Sequence, residues 1–318
     1  MNNLRACLER HQIPIYAASI CFAIVAALLT GNTDFLEGVI NPALALMLFV
    51  TFSQVPLSEL GRSFARVRFL GALMVSNFAL VPMLVALLIQ FLPADPVIRL
   101  GVLFVLLTPC IDYVVTFSHI GRADARLLLA CTPLLLVAQI LLLPLYLRLF
   151  LGGSAIDLVQ LGPFVHAFLW LIVVPLVLAT LLQCWSRGSD TGQRIATGLG
   201  VLPVPATALV LFLVMAAMVP KLAPAIQAAW RVLPIYLGFA VVAPFMGWAV
   251  ARLARLEIPA CRAVAFSSAT RNSLVMLPLA LAVPGSSPIL PAIIVTQTMV
   301  ELVASVVYMR LMPRLGRA

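Results

Sequence analysis

Of the 318 residues, 63% are hydrophobic and only 10% charged, and the mean hydropathy is +1.13. No soluble core needs so much apolar side chain, so the composition excludes an ordinary soluble enzyme and points to a polytopic α-helical membrane protein. The net charge of +9 does not indicate a nucleic-acid partner, because the basic residues sit in short segments between apolar runs.

Ten apolar segments are predicted in chain order, at about 13–30, 39–56, 69–92, 97–118, 125–148, 160–184, 199–219, 233–252, 259–283 and 288–311. The first begins near Ile13 without an A-x-A-like cleavage site and reads as a retained helix. No stretch of soluble-domain size remains, so a single transmembrane domain is expected over 1–318. With the N-terminus in the cytoplasm, 15 of the 20 basic residues fall inside and four outside (Arg99, Arg148, Lys221, Arg231), with Arg271 left within the membrane. That asymmetry places both termini in the cytoplasm.

An internal repeat is visible. Gln139, Tyr146, Arg148 and Leu149 match Glu301, Tyr308, Arg310 and Leu311 at an offset of 162 residues. Leu46–Phe49 before Val55-Pro56 matches Leu209–Phe212 before Val219-Pro220 at offsets of 163 and 164. Each unit, about 11–151 and 158–313, holds five spans. An odd number makes the second copy enter from the opposite side, which is an inverted-topology repeat. Spans four and nine then correspond, and both are interrupted by polar residues, so they are expected to cross near the midplane.

The fourth span carries Thr108-Pro109-Cys110-Ile111-Asp112, and the ninth carries Thr270-Arg271-Asn272-Ser273. Pro109 removes an amide donor and frees backbone carbonyls. A lone charge at this depth costs at least ~2.5–3.5 kcal/mol, so Asp112 and Arg271 are expected to pair, either as a gate for substrate or proton or as a static ion pair. Cys110 is either a contact for a soft, thiophilic centre or a small packing residue. Glu301, beside Gln297 in the tenth span, suits a proton relay or polar bonding across helices. Asn41-Pro42 reads as a helix start with Pro in its first turn, and Asn41 is a further candidate for the cavity. The six Cys form no CxxC and no His/Cys group has zinc-like spacing, so no metal or disulfide framework is expected. There is no GxxxxGK[ST] either, so ATP hydrolysis is not expected, nor any cofactor.

On these residues the chain resembles the bile acid:sodium symporter superfamily, and within it the arsenite efflux permeases. Pro109-Cys110-x-x-x-Val114 followed by Ser118-His119-Ile120-Gly121-Arg122-Ala123-Asp124 is similar to the permeases' Pro-Cys turn and the loop after it. Asn272-Ser273 resembles the Asn-Ser of helix nine in the sodium-coupled branch, and Glu301 falls on an acidic position of the arsenite branch. The resemblance implies a secondary transporter of the bacterial inner membrane, not an enzyme, with lipid, a small-molecule or oxyanion substrate and protons as its partners. Proton-coupled efflux of arsenite or antimonite is the first expectation, with Cys110 as soft contact, Asp112 and Arg271 as gate and Glu301 as proton carrier. The alternative is a sodium-independent transporter of a small organic anion, with Arg271 binding its carboxylate. Where the sodium-coupled branch places its ligands, this chain has Ser267, Arg271, Val114 and Val115. Sodium coupling is therefore not expected, and Arg271 stands as a fixed surrogate for a coupling cation. The arsenite branch's own helix-nine carboxylate is replaced by Ser273.

Overall fold

The computed structural model describes residues 2–30, 34–54, 66–111, 113–152, 166, 169–218, 222–281, 283 and 288–316. Helices carry nearly all of them: α1 (Asn2–Arg10), α2 (Gln12–Thr30), α3 (Glu37–Phe52), α4 (Val67–Phe91), α5 (Pro96–Leu106), α6 (Tyr113–Ile120) and α7 (Ala125–Leu151). Then follow α8 (Val174–Gly188), α9 (Asp190–Leu199), α10 (Pro203–Met218), α11 (Leu222–Leu253), α12 (Ile258–Ala269), α13 (Ser273–Leu281) and α14 (Ile289–Leu311). Among the described residues the only β pairing is an isolated antiparallel bridge between Pro109 and Arg271.

Among the described residues five helices are long and apolar enough to cross a membrane: Gln12–Leu29, Val67–Phe91, Ala125–Leu151, Ala225–Leu253 and Ile289–Arg314. The α9–α10 pair meets the same test only when taken together across a 43° bend, and Gly38–Phe52 and Pro96–Leu106 are shorter apolar helices. Leucines 141, 145 and 149 line an exposed stripe on α7, and Val303 and Val307 do so on α14. An apolar stripe at helical spacing that faces away from the protein suits a lipid contact.

The helices form two packed groups. One contains α2, α3, α8 and α10; the other contains α4, α7, α11 and α14 around the two interrupted pairs, α5–α6 and α12–α13. They meet where α13 touches α3 and where α10 touches α14. Close backbone approach holds the second group together. A Cβ on Gly247 of α11 would lie 2.8 Å from Ser268 Cβ and 3.0 Å from the Val264 carbonyl oxygen on α12.

One expectation changes. Pro42 does not sit in the first turn: α3 begins at Glu37 and Pro42 lies inside it. The chain enters α3 directly from a 3-10 turn at Asp34–Leu36, so helix precedes the proline and only one backbone bond is forfeited. Asn41 is exposed on that helix. The α4 helix is also not regular, because residues Ser76–Leu80 widen into a π turn. The Val55-Pro56 and Val219-Pro220 matches lie outside the described residues.

The close approach at Gly247 generates a test. Gly247→Val should destabilise the detergent-solubilised protein by about 1–3 kcal/mol through overpacking against α12. Gly71→Val, where a Cβ meets nothing within 4 Å, should leave the unfolding midpoint within experimental error. Equal effects at both sites would contradict the packing of α11 on α12.

Candidate functional site

Both interrupted pairs break for reasons written in their sequence. Pro109 has no N–H to continue α5, and it disfavours a helical conformation at Thr108. The helix accordingly ends at Leu106. The second break opens at Thr270, which turns extended with φ −105° and ψ 138°. In a membrane each freed peptide group needs a partner within the protein. Here the breaks partner one another: Cys110 N donates to Thr270 O at 3.2 Å, and Asn272 N donates to Thr108 O at 2.8 Å. The two threonine hydroxyls turn back into their own helices, Thr108 onto Phe104 O and Thr270 onto Phe266 O, both at 2.9 Å.

Arg271 lies at this crossing and is 0% exposed. Its Nη2 donates to Asn77 Oδ1 at 2.8 Å and faces Ser267 O and Ser268 O at 2.7 Å each, while Nη1 reaches Leu106 O at 3.3 Å. The Phe239 ring covers the guanidinium, its centroid 5.3 Å from Cζ. Ser267 O and Ser268 O belong to the last turn of α12, and Leu106 O ends α5. Two negative helix ends therefore face one positive group. Asn77 is aimed by the π turn of α4 and by its own amide, which donates to Leu73 O at 3.1 Å and Ser267 Oγ at 3.0 Å. Ser76 and Ser268 share a hydrogen bond of 2.6 Å beside it.

Glu301 is 2% exposed and accepts three hydrogen bonds. These come from the Arg271 backbone N at 2.8 Å, Tyr113 OH at 2.7 Å and Gln297 Nε2 at 2.5 Å. Three donors around an acceptor-only group are a matched set. Among the described residues the ion pair between Arg5 and Glu9 is the only one, so Glu301 meets the backbone of Arg271 rather than its guanidinium. Nearby, Thr298 donates to Ser273 Oγ at 2.9 Å. Asn272 Nδ2, Gln297 Oε1 and Ser305 Oγ are buried without a partner.

The structure thus gathers Thr108, Pro109, Cys110, Thr270, Arg271, Asn272, Ser273, Gln297 and Glu301 at the crossing, while Asn41 is exposed. Asp112 lies outside the described residues, and with it the expected Asp112–Arg271 pair. Sequence reasoning missed Asn77, Tyr113 and Phe239. Ser76-Asn77 was a legible signal, a polar pair in the middle of an apolar span.

A cavity of about 350 Å³ opens between the two helix groups. Its walls include Arg5, Gln12, Thr51, His119, Arg126 and Thr207, and it reaches the first break at Ile111 and Tyr113. Cys110 is wholly buried and does not line it. Tyr113 therefore lines the cavity and donates its hydroxyl to Glu301.

Helical described residues with outward-facing apolar stripes, a buried charged crossing and a cavity between helix groups make up an integral membrane protein. Residues 41–225 match the model of the Sodium Bile acid symporter family. That is more than half of the chain, which belongs to this family of transporters. A search of curated proteins gives no match.

The hydrogen bonds of Glu301 can be tested against an adjacent idle group. Tyr113→Phe removes one donor from a buried carboxylate and should lower stability by about 1–3 kcal/mol. Ser305→Ala, whose hydroxyl bonds nothing, should be neutral or stabilising in the same denaturation measurement.

Proposed function

We propose that the protein is a ten-span secondary transporter built from two inverted five-helix repeats. It sits in the bacterial inner membrane with both termini cytoplasmic, and moves a small anion without sodium by alternating access at the crossing of the two interrupted spans. The observation that carries the repeat is the exchange of partners at an offset of 162 residues. Applied to the Cys110 N–H···O Thr270 bond, the offset generates the Asn272 N–H···O Thr108 bond. Applied to Pro109 it gives Arg271, the residue opposite it in the bridge. A shift that swaps the two sides of one contact describes a pseudo-two-fold axis through it. The same offset relates Tyr146 OH bonded to Phe78 O and Tyr308 OH bonded to Ala240 O.

The substrate is read from the cavity. Arg126 and His119 line it beside neutral polar side chains, together with Arg5 and its ion-pair partner Glu9. With Arg5 offset by Glu9, the charge of Arg126 favours a small organic anion. Arsenite or antimonite efflux is the second reading, favoured by the position of Cys110 inside the break. Proton coupling is supported by Tyr113, which bridges the cavity and Glu301.

Transport into proteoliposomes should persist unchanged when sodium is replaced by potassium or choline; a steep sodium requirement would contradict the proposal. For the second reading, Cys110→Ser should abolish arsenite resistance in cells while Cys131→Ser and Cys261→Ser retain it. Equal resistance in all three variants would return Cys110 to a packing role.

A further inference from the structure

The offset of 162 residues that exchanges the two breaks also pairs Glu301 of α14 with Gln139 of α7. Both side chains are 2% exposed, but their surroundings are opposite in kind. Glu301 receives three donors, and each has a counterpart that cannot donate. Arg271 N corresponds to Pro109, which has no N–H; Tyr113 corresponds to Val275, and Gln297 to Leu135. Gln139 accordingly has no partner at either Oε1 or Nε2. An unbonded amide is costly to bury, and a leucine at this position would avoid that cost. The two helices also differ in packing. Whereas α14 packs extensively on α11, the counterpart pair, α7 and α4, makes only sparse contact. The helix that carries Gln139 is thus the more loosely held of the two.

We propose that Gln139 lines the half of the transport path that opens to the outer face, where its amide donates to the passing anion. The inference rests on the inverted repeat and the alternating access proposed above. The cavity between the helix groups reaches the crossing from the side of Arg5, His119 and Arg126, which is the cytoplasmic side in that orientation. It connects to Glu301 through Tyr113. A two-fold axis in the membrane plane exchanges the two faces, so it carries the surroundings of Glu301 onto those of Gln139. Val275 stands there in place of Tyr113 and offers no hydroxyl, which leaves the amide itself to meet the solute. A neutral amide presents N–H donors to an anion and does not repel it as a carboxylate would.

The test is thiol labelling of the full-length protein in membrane vesicles. In the parent, the exposed Cys7, Cys21 and Cys184 are replaced by alanine and the buried Cys110, Cys131 and Cys261 are kept. A membrane-impermeant cationic methanethiosulfonate reaches one face in right-side-out vesicles and the other in inverted ones. Gln139→Cys should react above the parent's background from the outer face and not from the cytoplasmic face. Val115→Cys, at a position that lines the cavity, should show the opposite sidedness. A Gln139→Cys that reacts from neither face occupies a static packing position, and one that reacts from the same face as Val115→Cys belongs to the cavity; either result overturns the inference. Gln139→Leu is a second check, independent of whether the cysteine variant folds. It loses no bond, so it should unfold at or above the wild-type temperature. A midpoint lowered by more than about 4 °C would show the amide bonded within the fold and would overturn the inference as well. Val115→Cys reacting from the outer face would instead overturn the proposed orientation, and Gln139→Cys must then react from the cytoplasmic face. Sodium-dependent transport by the wild type would overturn the proposed function without touching this sidedness.

Discussion

The structure depends on two broken helices completing each other's hydrogen bonds. A break in one span would strand backbone donors and acceptors where no water can reach them, at several kcal/mol per group. Thr108 O and Thr270 O are satisfied by Asn272 N and Cys110 N, and Leu106 O, Ser267 O and Ser268 O are satisfied by Arg271. Neither break has this set of partners alone, so their pairing and the packing of α11, α4 and α14 around them are one constraint. Gly247 shows how closely that packing is drawn, with α11 resting against Ser268 of α12, whose carbonyl oxygen faces Arg271.

Charge follows from the same arrangement. Arg271 gives its side chain to helix ends and its backbone N–H to Glu301, so the two charged groups serve different neighbours. The guanidinium gives its hydrogen bonds to fixed carbonyl and amide dipoles, and the charge of Glu301 also favours it. The carboxylate is held by Tyr113, Gln297 and one peptide group. Of these, Tyr113 also borders the cavity between the helix groups.

Much of this was legible in the sequence. Apolar runs located the helices closely: the segment expected at 125–148 is observed at Ala125–Leu151, and that at 288–311 at Ile289–Leu311. Polar residues inside two of the runs located the breaks, because a charge at membrane depth is tolerated only where something compensates it. What compensates Arg271 was not legible, since backbone carbonyls leave no mark in a sequence and Asn77 comes from a distant span. Pro42 misled because a proline inside a helix and a proline at its start look alike until the preceding turn is seen. Tyr113 was hidden by its neighbour Asp112, which attracts notice through its charge.

The central claim is that the buried guanidinium and its oxygen cage form one coupled unit. A double-mutant cycle in the unfolding of the solubilised protein, with Asn77→Ala and Arg271→Gln, measures that coupling directly. Removing either partner should destabilise, and the double variant should be less destabilised than the sum by about 0.5–3 kcal/mol. Strictly additive effects would show that Asn77 and Arg271 do not interact, and would contradict the account of the crossing.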